Sequence, residues 1–112
     1  MRREIPSRLK GMWLFVIFDL PVVKKKQRKA YSQFRKKLIS FGFSMLQYSV
    51  YARYCTSREN SVTYTGRIKK DLPGEGQVRF ISITDKQFAD QDIFYGKKQE
   101  KPEDKPQQML LF

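Results

Sequence analysis

The sequence predicts an α+β domain in which one antiparallel sheet carries two helices, and three observations lead there. A continuous apolar run opens the body of the chain. Extended and helical periodicities then alternate in the order strand, helix, strand, strand, helix, strand. Glycine, proline and capping residues fall at the joints between them. The 112 residues suffice for one domain with one modest core. A content of 40% hydrophobic and 14% aromatic residues belongs to a chain that folds.

Residues 1–11 (MRREIPSRLKG) are a basic N-terminal extension closed by Gly11. Met12 to Phe18 is short, aromatic and β-branched, as expected of a strand buried on both faces. It stops at Asp19-Leu20-Pro21, because proline cannot donate to a ladder. From Val23 to Phe41 the period changes: Tyr31, Phe34, Leu38 and Phe41 recur at three and four residues and mark one helix face. Gly42 stands where a left-handed helix cap is expected. Phe43 to Tyr54 is extended again, and its alternation shifts phase at Gln47-Tyr48-Ser49, giving two short strands or one bulged strand.

Thr56-Ser57-Arg58-Glu59 fits a capping box, with Thr56 as N-cap and Glu59 reaching back. The helix it opens carries Tyr64, Ile68 and Leu72 on one face and ends before Pro73. Gly66 inside it costs roughly 1 kcal/mol against alanine, so close packing onto the sheet is its expected reason. After the turn Pro73-Gly74-Glu75-Gly76, Val78, Phe80, Ile81 and Ile83 supply the last core strand, which ends at Thr84-Asp85. Phe88 to Tyr95 reads as a turn or short helix leading into an extended piece, 96–106 as a polar linker, and 107–112 as an extra apolar C-terminal strand. The body, 12–95, thus follows the split β-α-β order of a ferredoxin-like domain. Both helices lie on one face of such a sheet, and the other face is left bare. A symmetric dimer packed sheet to sheet covers it most simply.

Composition excludes several chemistries. With no histidine there is no Ser-His-Asp triad and no imidazole-ligated metal. The lone Cys55 can form neither an intrachain disulfide nor a thiolate zinc site, and it is assigned no role. Any catalysis therefore falls to carboxylates with a hard cation such as Mg²⁺. The run Met12 to Phe18 is too short to span a bilayer and lacks a signal-peptide cleavage site, so the expected location is the cytoplasm, with no membrane partner. Lysine and arginine total 23 against 11 acids, a net charge of +12 that a polyanion relieves. Nucleic acid is the expected partner, ahead of an anionic membrane surface.

Two sets of residues stand out. Asp19 is an acid at the C-terminal end of a buried strand; the alternative is a turn former before Pro21. One carboxylate is too few for a tight divalent site, but a twofold axis beside this strand end brings two Asp19 side chains together, where Mg²⁺ relieves their repulsion. The second set is the first helix, where Lys24, Lys25, Lys26, Arg28, Lys29 and Arg35, with Lys36 and Lys37, face no acid between Val23 and Phe41. Cations at a helix N-terminus oppose its dipole, and a phosphate nearby offsets that cost. No pattern here reads base edges, so backbone binding with little sequence preference is expected. Tyr48, Tyr51 and Tyr54 are read as filling the faces of the sheet, although exposed tyrosines also stack on unpaired bases.

In combination these residues resemble the small CRISPR-associated adaptation nuclease family. The resemblance rests on the apolar strand ending in Phe18-Asp19-Leu20-Pro21, the basic helix with Tyr31 and Phe34, and Gly42-Phe43 leading into Gln47-Tyr48-Ser49-Val50-Tyr51. The segment Ser82-Ile83-Thr84-Asp85-Lys86-Gln87-Phe88 looks like the form that accompanies RNA-guided single-effector systems. It covers roughly residues 12–95 and implies a homodimer in which Asp19 of each subunit faces a shared divalent ion. It also implies metal-dependent cleavage of RNA or double-stranded DNA, and a place as the central dimer between two dimers of the CRISPR integrase. There the basic surface holds the DNA fragment that becomes a new spacer. Many members have tyrosine before the aspartate; Phe18 here implies a missing phenolic hydroxyl beside the metal. Two readings of other classes compete: a non-catalytic adaptor recruiting partners through its tail, and an RNA-binding regulator. The latter relies on a Lys/Arg-Gly-Phe type motif that this chain lacks.

The tail itself, Gln108, Met109, Leu110, Leu111 and Phe112, is apolar and needs cover. One reading lays it as an edge strand on the partner subunit's sheet. The other rests on its resemblance to the Gln-x-x-Leu-Phe peptides with which replication and repair proteins hold the sliding clamp. Deleting residues 107–112 separates them. A swapped strand predicts a weaker dimer in sedimentation and a lower melting temperature, whereas a clamp peptide predicts an unchanged dimer and lost clamp binding.

Overall fold

In a computed structural model, which describes residues 11–106, β1 (Met12–Asp19) lies inside a four-stranded antiparallel sheet of order β2-β3-β1-β4. Residues 1–10 and 107–112, and with them the basic extension and the apolar tail, lie outside the described residues. β1 occupies an inner position because its side chains are apolar on both sides. Met12, Leu14, Val16 and Phe18 enter the main core with Phe34, Leu38, Tyr51 and Ile68. Trp13 and Phe15 alternate onto the opposite, second face, with Ala52 and Phe88. The strand pairs with β3 (Val50–Cys55), Ile17 opposite Val50, and with β4 (Gln77–Thr84), Asp19 opposite Gln77. With α1 (Lys25–Ser40), β2 (Ser44–Gln47) and α2 (Arg58–Lys69), this is the ferredoxin-like order read from the sequence.

The first helix forms where its period predicts. Phe34 and Leu38 are buried, and Tyr31 and Phe41 flank them. Gly42 takes φ +85°, the left-handed cap. The guanidinium of Arg53 donates to the Phe41 carbonyl (3.1 Å) and to the Tyr64 hydroxyl (2.9 Å), placing a cation at the negative end of α1. The phase shift at Gln47-Tyr48-Ser49 is the turn of a hairpin between β2 and β3, with a register irregularity between Met45 and Gln47.

Four expectations are corrected. Ser57, not Thr56, caps α2: its hydroxyl accepts from the Asn60 backbone N–H (3.0 Å), and the Asn60 side chain accepts from the Thr56 N–H (3.3 Å). Asn60 thus performs the reach-back expected of Glu59, one residue later. Gly66 packs against nothing, since a Cβ there would meet no atom within 4 Å. Ile81, read as part of the last core strand, remains 45% exposed on β4, which is tied to α2 by Ser61 and Ser82 (hydroxyls 2.7 Å apart). The polar stretch after Tyr95 is not simply a linker: β6 (Lys98–Glu100) folds back on β5 (Ile93–Tyr95) around Gly96 at φ +61°. Beyond it Lys105 reaches Asp85 at 3.3 Å.

The second face is not bare. A short helix α3 (Asp85–Ala89), capped reciprocally by Thr84 and Gln87, lays Phe88 flat on Trp13 with ring centres 3.8 Å apart. The Trp13 indole N–H donates to Asp85 at 2.9 Å. This covers the Met12 end of the face; Ile93, Phe94 and Tyr95 line a cavity with Phe15, Leu46 and Val50 next to it, and Asp19 at the far end stays exposed. Among the described residues, no helix is long and apolar enough to cross a membrane.

The two glycines give opposite expectations. Gly66→Ala fills open space in a helix and should raise stability by about 1 kcal/mol. At Gly76 φ is +87° and a Cβ would come within 2.5 Å of the Asp19 carbonyl oxygen. Gly76→Ala should therefore lower stability by roughly 1–3 kcal/mol. Urea unfolding of both variants checks the signs.

Candidate functional site

β1 delivers Asp19 to the end of the sheet. Strand alternation sets its side chain on the second face, in line with Trp13, Phe15 and Ile17, whereas Phe18 turns into the core. Asp19 is exposed, and among the described residues its carboxylate accepts no hydrogen bond and makes no ion pair. Its neighbours on that face are exposed: Gln77 stands opposite Asp19 and Arg79 opposite Ile17, with Ile81 farther along opposite Phe15.

The Phe18 ring packs edge-on against Phe34 and Tyr31 and stacks on Tyr51, on the helix-bearing side of the sheet. A phenol at position 18 therefore belongs to that aromatic cluster and not to the face that carries Asp19. This corrects the expectation that Phe18 deprives the Asp19 site of a hydroxyl.

Leu20, buried, turns the chain from β1 toward α1. The first turn of α1 has no acid, and its opening is held by Gln27. The Gln27 side-chain oxygen accepts from the N–H groups of Val23 (3.1 Å) and Lys24 (2.9 Å), and its amide donates to Glu75 at 2.9 Å. This links the helix start to the α2–β4 loop. Arg28 donates to the carbonyls of Val23 (2.6 Å) and Val22 (3.3 Å).

The six cations singled out from the sequence do not form one patch. Lys24 and Lys26 line a cavity of about 340 Å³ with Leu20, Pro21 and Glu75. Lys25 and Lys29, four residues apart, share an outward face. Arg28 and Arg35, seven apart, share the flank that also bears Tyr31. Lys37 is committed elsewhere, to Asp71 at 3.0 Å.

Of the three tyrosines read as sheet fillers, Tyr51 is 1% exposed and Tyr54 half-buried, but Tyr48 is 81% exposed. The phase shift around Gln47-Tyr48-Ser49 was the signal for this, because a residue in a turn leaves the alternation of the strands. Cys55 is buried, and burial pushes its thiol upward against the opposing pull of Arg53, so it stays a protonated, inert thiol. Among the described residues, no three histidine, cysteine or acidic side chains gather to hold a metal ion.

Comparison with known proteins now bears on this geometry. The family model of CRISPR associated protein Cas2 matches residues 12–91, from the first residue of β1 to just beyond α3. The chain belongs to the Cas2 family. It is 46% identical over 106 residues to the CRISPR-associated endoribonuclease Cas2 of Flavobacterium psychrophilum, covering 95% of this chain and 92% of that protein. It is also 46% identical over 101 residues to the protein of the same description from Parvibaculum lavamentivorans, covering 90% of this chain and 100% of that one. The one from Ligilactobacillus salivarius is 45% identical over 87 residues, 78% of this chain and 86% of its own. Asp19 and the basic helix both lie within the span matched by the Cas2 model.

In this Cas2 chain Gln27 stands in for the missing acid of the first turn. Gln27→Ala removes one acceptor shared by two helix-opening N–H groups and should lower stability by about 1 kcal/mol. A shifted denaturation midpoint checks this.

Proposed function

We propose that two copies of this chain pack second face against second face and hold Mg²⁺ between their Asp19 carboxylates. The dimer then hydrolyses phosphodiester bonds in RNA. The position of Asp19 carries the proposal. Its carboxylate is uncommitted, it lies at the opposite end of the second face from the Trp13–Phe88 stack, and a copy packed on that face brings a second Asp19 beside it. The description of its relatives as endoribonucleases supports RNA as the substrate.

The donor chemistry supports this part of the reading. A single chain offers one carboxylate here, two copies offer two, and hard oxygen donors of that number suit a cation that keeps much of its water. When bound, Mg²⁺ supplies charge stabilisation at the scissile phosphate and activation of water. The protein's part is positional. β1, pinned on both sides by β3 and β4, fixes the Asp19 backbone, and Gly76 lets the α2–β4 loop close against it. The cations of α1 attract the polyanion from both sides of such a dimer. The same surface supports a second part of the proposal: binding a duplex backbone between integrase subunits during spacer acquisition.

Asp19→Asn tests the centre of this reading, since it keeps size and exposure while removing the charge. Mg²⁺-dependent RNA cleavage should fall by about 100-fold or more. The melting curve should stay close to wild type, because the site is on the surface. Full cleavage by a clean Asn preparation, or a monomer by sedimentation at micromolar concentration, overturns the proposal.

A further inference from the structure

We infer that Tyr48, backed by Tyr31, is a base-stacking platform within a track for single-stranded nucleic acid along the flank of α1. The inference rests on the nucleic-acid reading above and narrows it to an unpaired strand. Tyr48 lies in the β2–β3 turn and is 81% exposed. One side of that ring is backed by Tyr31, centroids 6.1 Å apart and planes within 24°. The other side is open to a third ring.

The turn is built to hold this position. Ser49 has φ +63°, a left-handed conformation that a non-glycine residue adopts at a cost, and no other non-glycine residue among those described does so. Two contacts hold it there: the Tyr31 hydroxyl lies 3.1 Å from the Ser49 hydroxyl, and the Phe18 N–H donates to the Ser49 carbonyl at 3.1 Å. The second contact ties the turn to β1 one residue before Asp19.

The surroundings match an unpaired strand in chemistry and spacing. Arg35 and Arg28 are exposed on the same flank as Tyr31, about 10.5 Å apart along the helix axis with Tyr31 between them, and the Arg28 guanidinium is held by the Val22 and Val23 carbonyls. Met45 of β2 is opposite Tyr51 and so lies on the helix side of the sheet, 53% exposed. Cations that track a backbone, interleaved with aromatic rings that stack on bases, are how proteins hold single strands without reading sequence. A duplex gains little here, because its base faces are already stacked on one another. A second copy packed as proposed above does not cover Tyr48 either, because the platform is on the helix-bearing side and that dimer uses the other face.

The test uses the full chain in EDTA, where binding is measured apart from cleavage. The probes are a 15-nucleotide single-stranded RNA carrying one 2-aminopurine and a duplex of the same sequence. Tyr48→Ala should weaken single-strand binding about tenfold and abolish quenching of the 2-aminopurine, leaving duplex binding within twofold. Tyr48→Phe, which keeps the ring, should behave as wild type. Unchanged single-strand binding by Tyr48→Ala overturns the inference, as does an equal loss on the duplex. A change in sedimentation in place of nucleic-acid binding also overturns it, by revealing a protein contact. Asp19→Asn, measured in parallel, keeps the two readings distinguishable: its cleavage bears on the metal site alone, and the stacking result stands whatever that variant does.

Discussion

The eight residues of β1 bury apolar side chains on both sides of one sheet, and this requirement decides where everything else goes. Even positions need α1 and α2 above them, so the helices close over one face and form the main core with Phe34, Leu38 and Ile68. Odd positions need cover on the other side, which Phe88 supplies at Trp13 while Phe15 and Ile17 stay partly exposed. The strand cannot move to an edge without exposing one of its two apolar rows. Its last residue, Asp19, inherits a fixed place from that constraint without contributing to the packing.

The functional end of the sheet is assembled from three loops that meet where β1 stops. Gln27 joins the start of α1 to Glu75 in the α2–β4 loop, Gly76 lets that loop approach the Asp19 backbone, and Ser49 joins the β2–β3 turn to Phe18. Each contact is local and modest in energy. Together they hold an uncommitted acid, a basic helix start and an exposed aromatic ring around the end of a rigid strand. A site on a buried strand gains precision from packing that a free loop does not offer.

The charge distribution has a physical direction as well as a magnitude. A net charge of +12 repels itself in the folded chain. The structure spreads α1's cations around the helix instead of massing them: a pair at the cavity by Leu20, a pair outward, and two arginines beside Tyr31. Such a helix meets a polyanion from several directions, which suits phosphate contacts that carry no sequence information.

Much of this was legible in the residues themselves. The apolar run of β1, the three-and-four spacing of Tyr31, Phe34 and Leu38, and Gly42 at a left-handed cap are local signals, because backbone geometry and side-chain period are set within a few residues. The acid at the end of β1 was legible for the same reason. The exposure of Ile81 on β4, the cover that Phe88 lays over Trp13 and the β5–β6 hairpin were not, since each depends on partners distant in sequence or on a turn whose closing strand is polar. Gly66 misled because a glycine's helix cost is local, whereas the space beside it is a property of the packed molecule. Tyr48 is the sharpest case. Composition makes it the equal of Tyr51 and Tyr54, and the phase shift at Gln47-Tyr48-Ser49 marks only a break in the strand; the fold separates them, because the pairing of β3 with β1 buries Tyr51 while the hairpin turn lifts Tyr48 out to solvent against Tyr31. The sequence by itself determined the elements, their order and the chemistry they carry, because those follow from local periods and residue types. Which faces stay open, and which side chains meet at them, was decided by long-range pairing that no local period encodes.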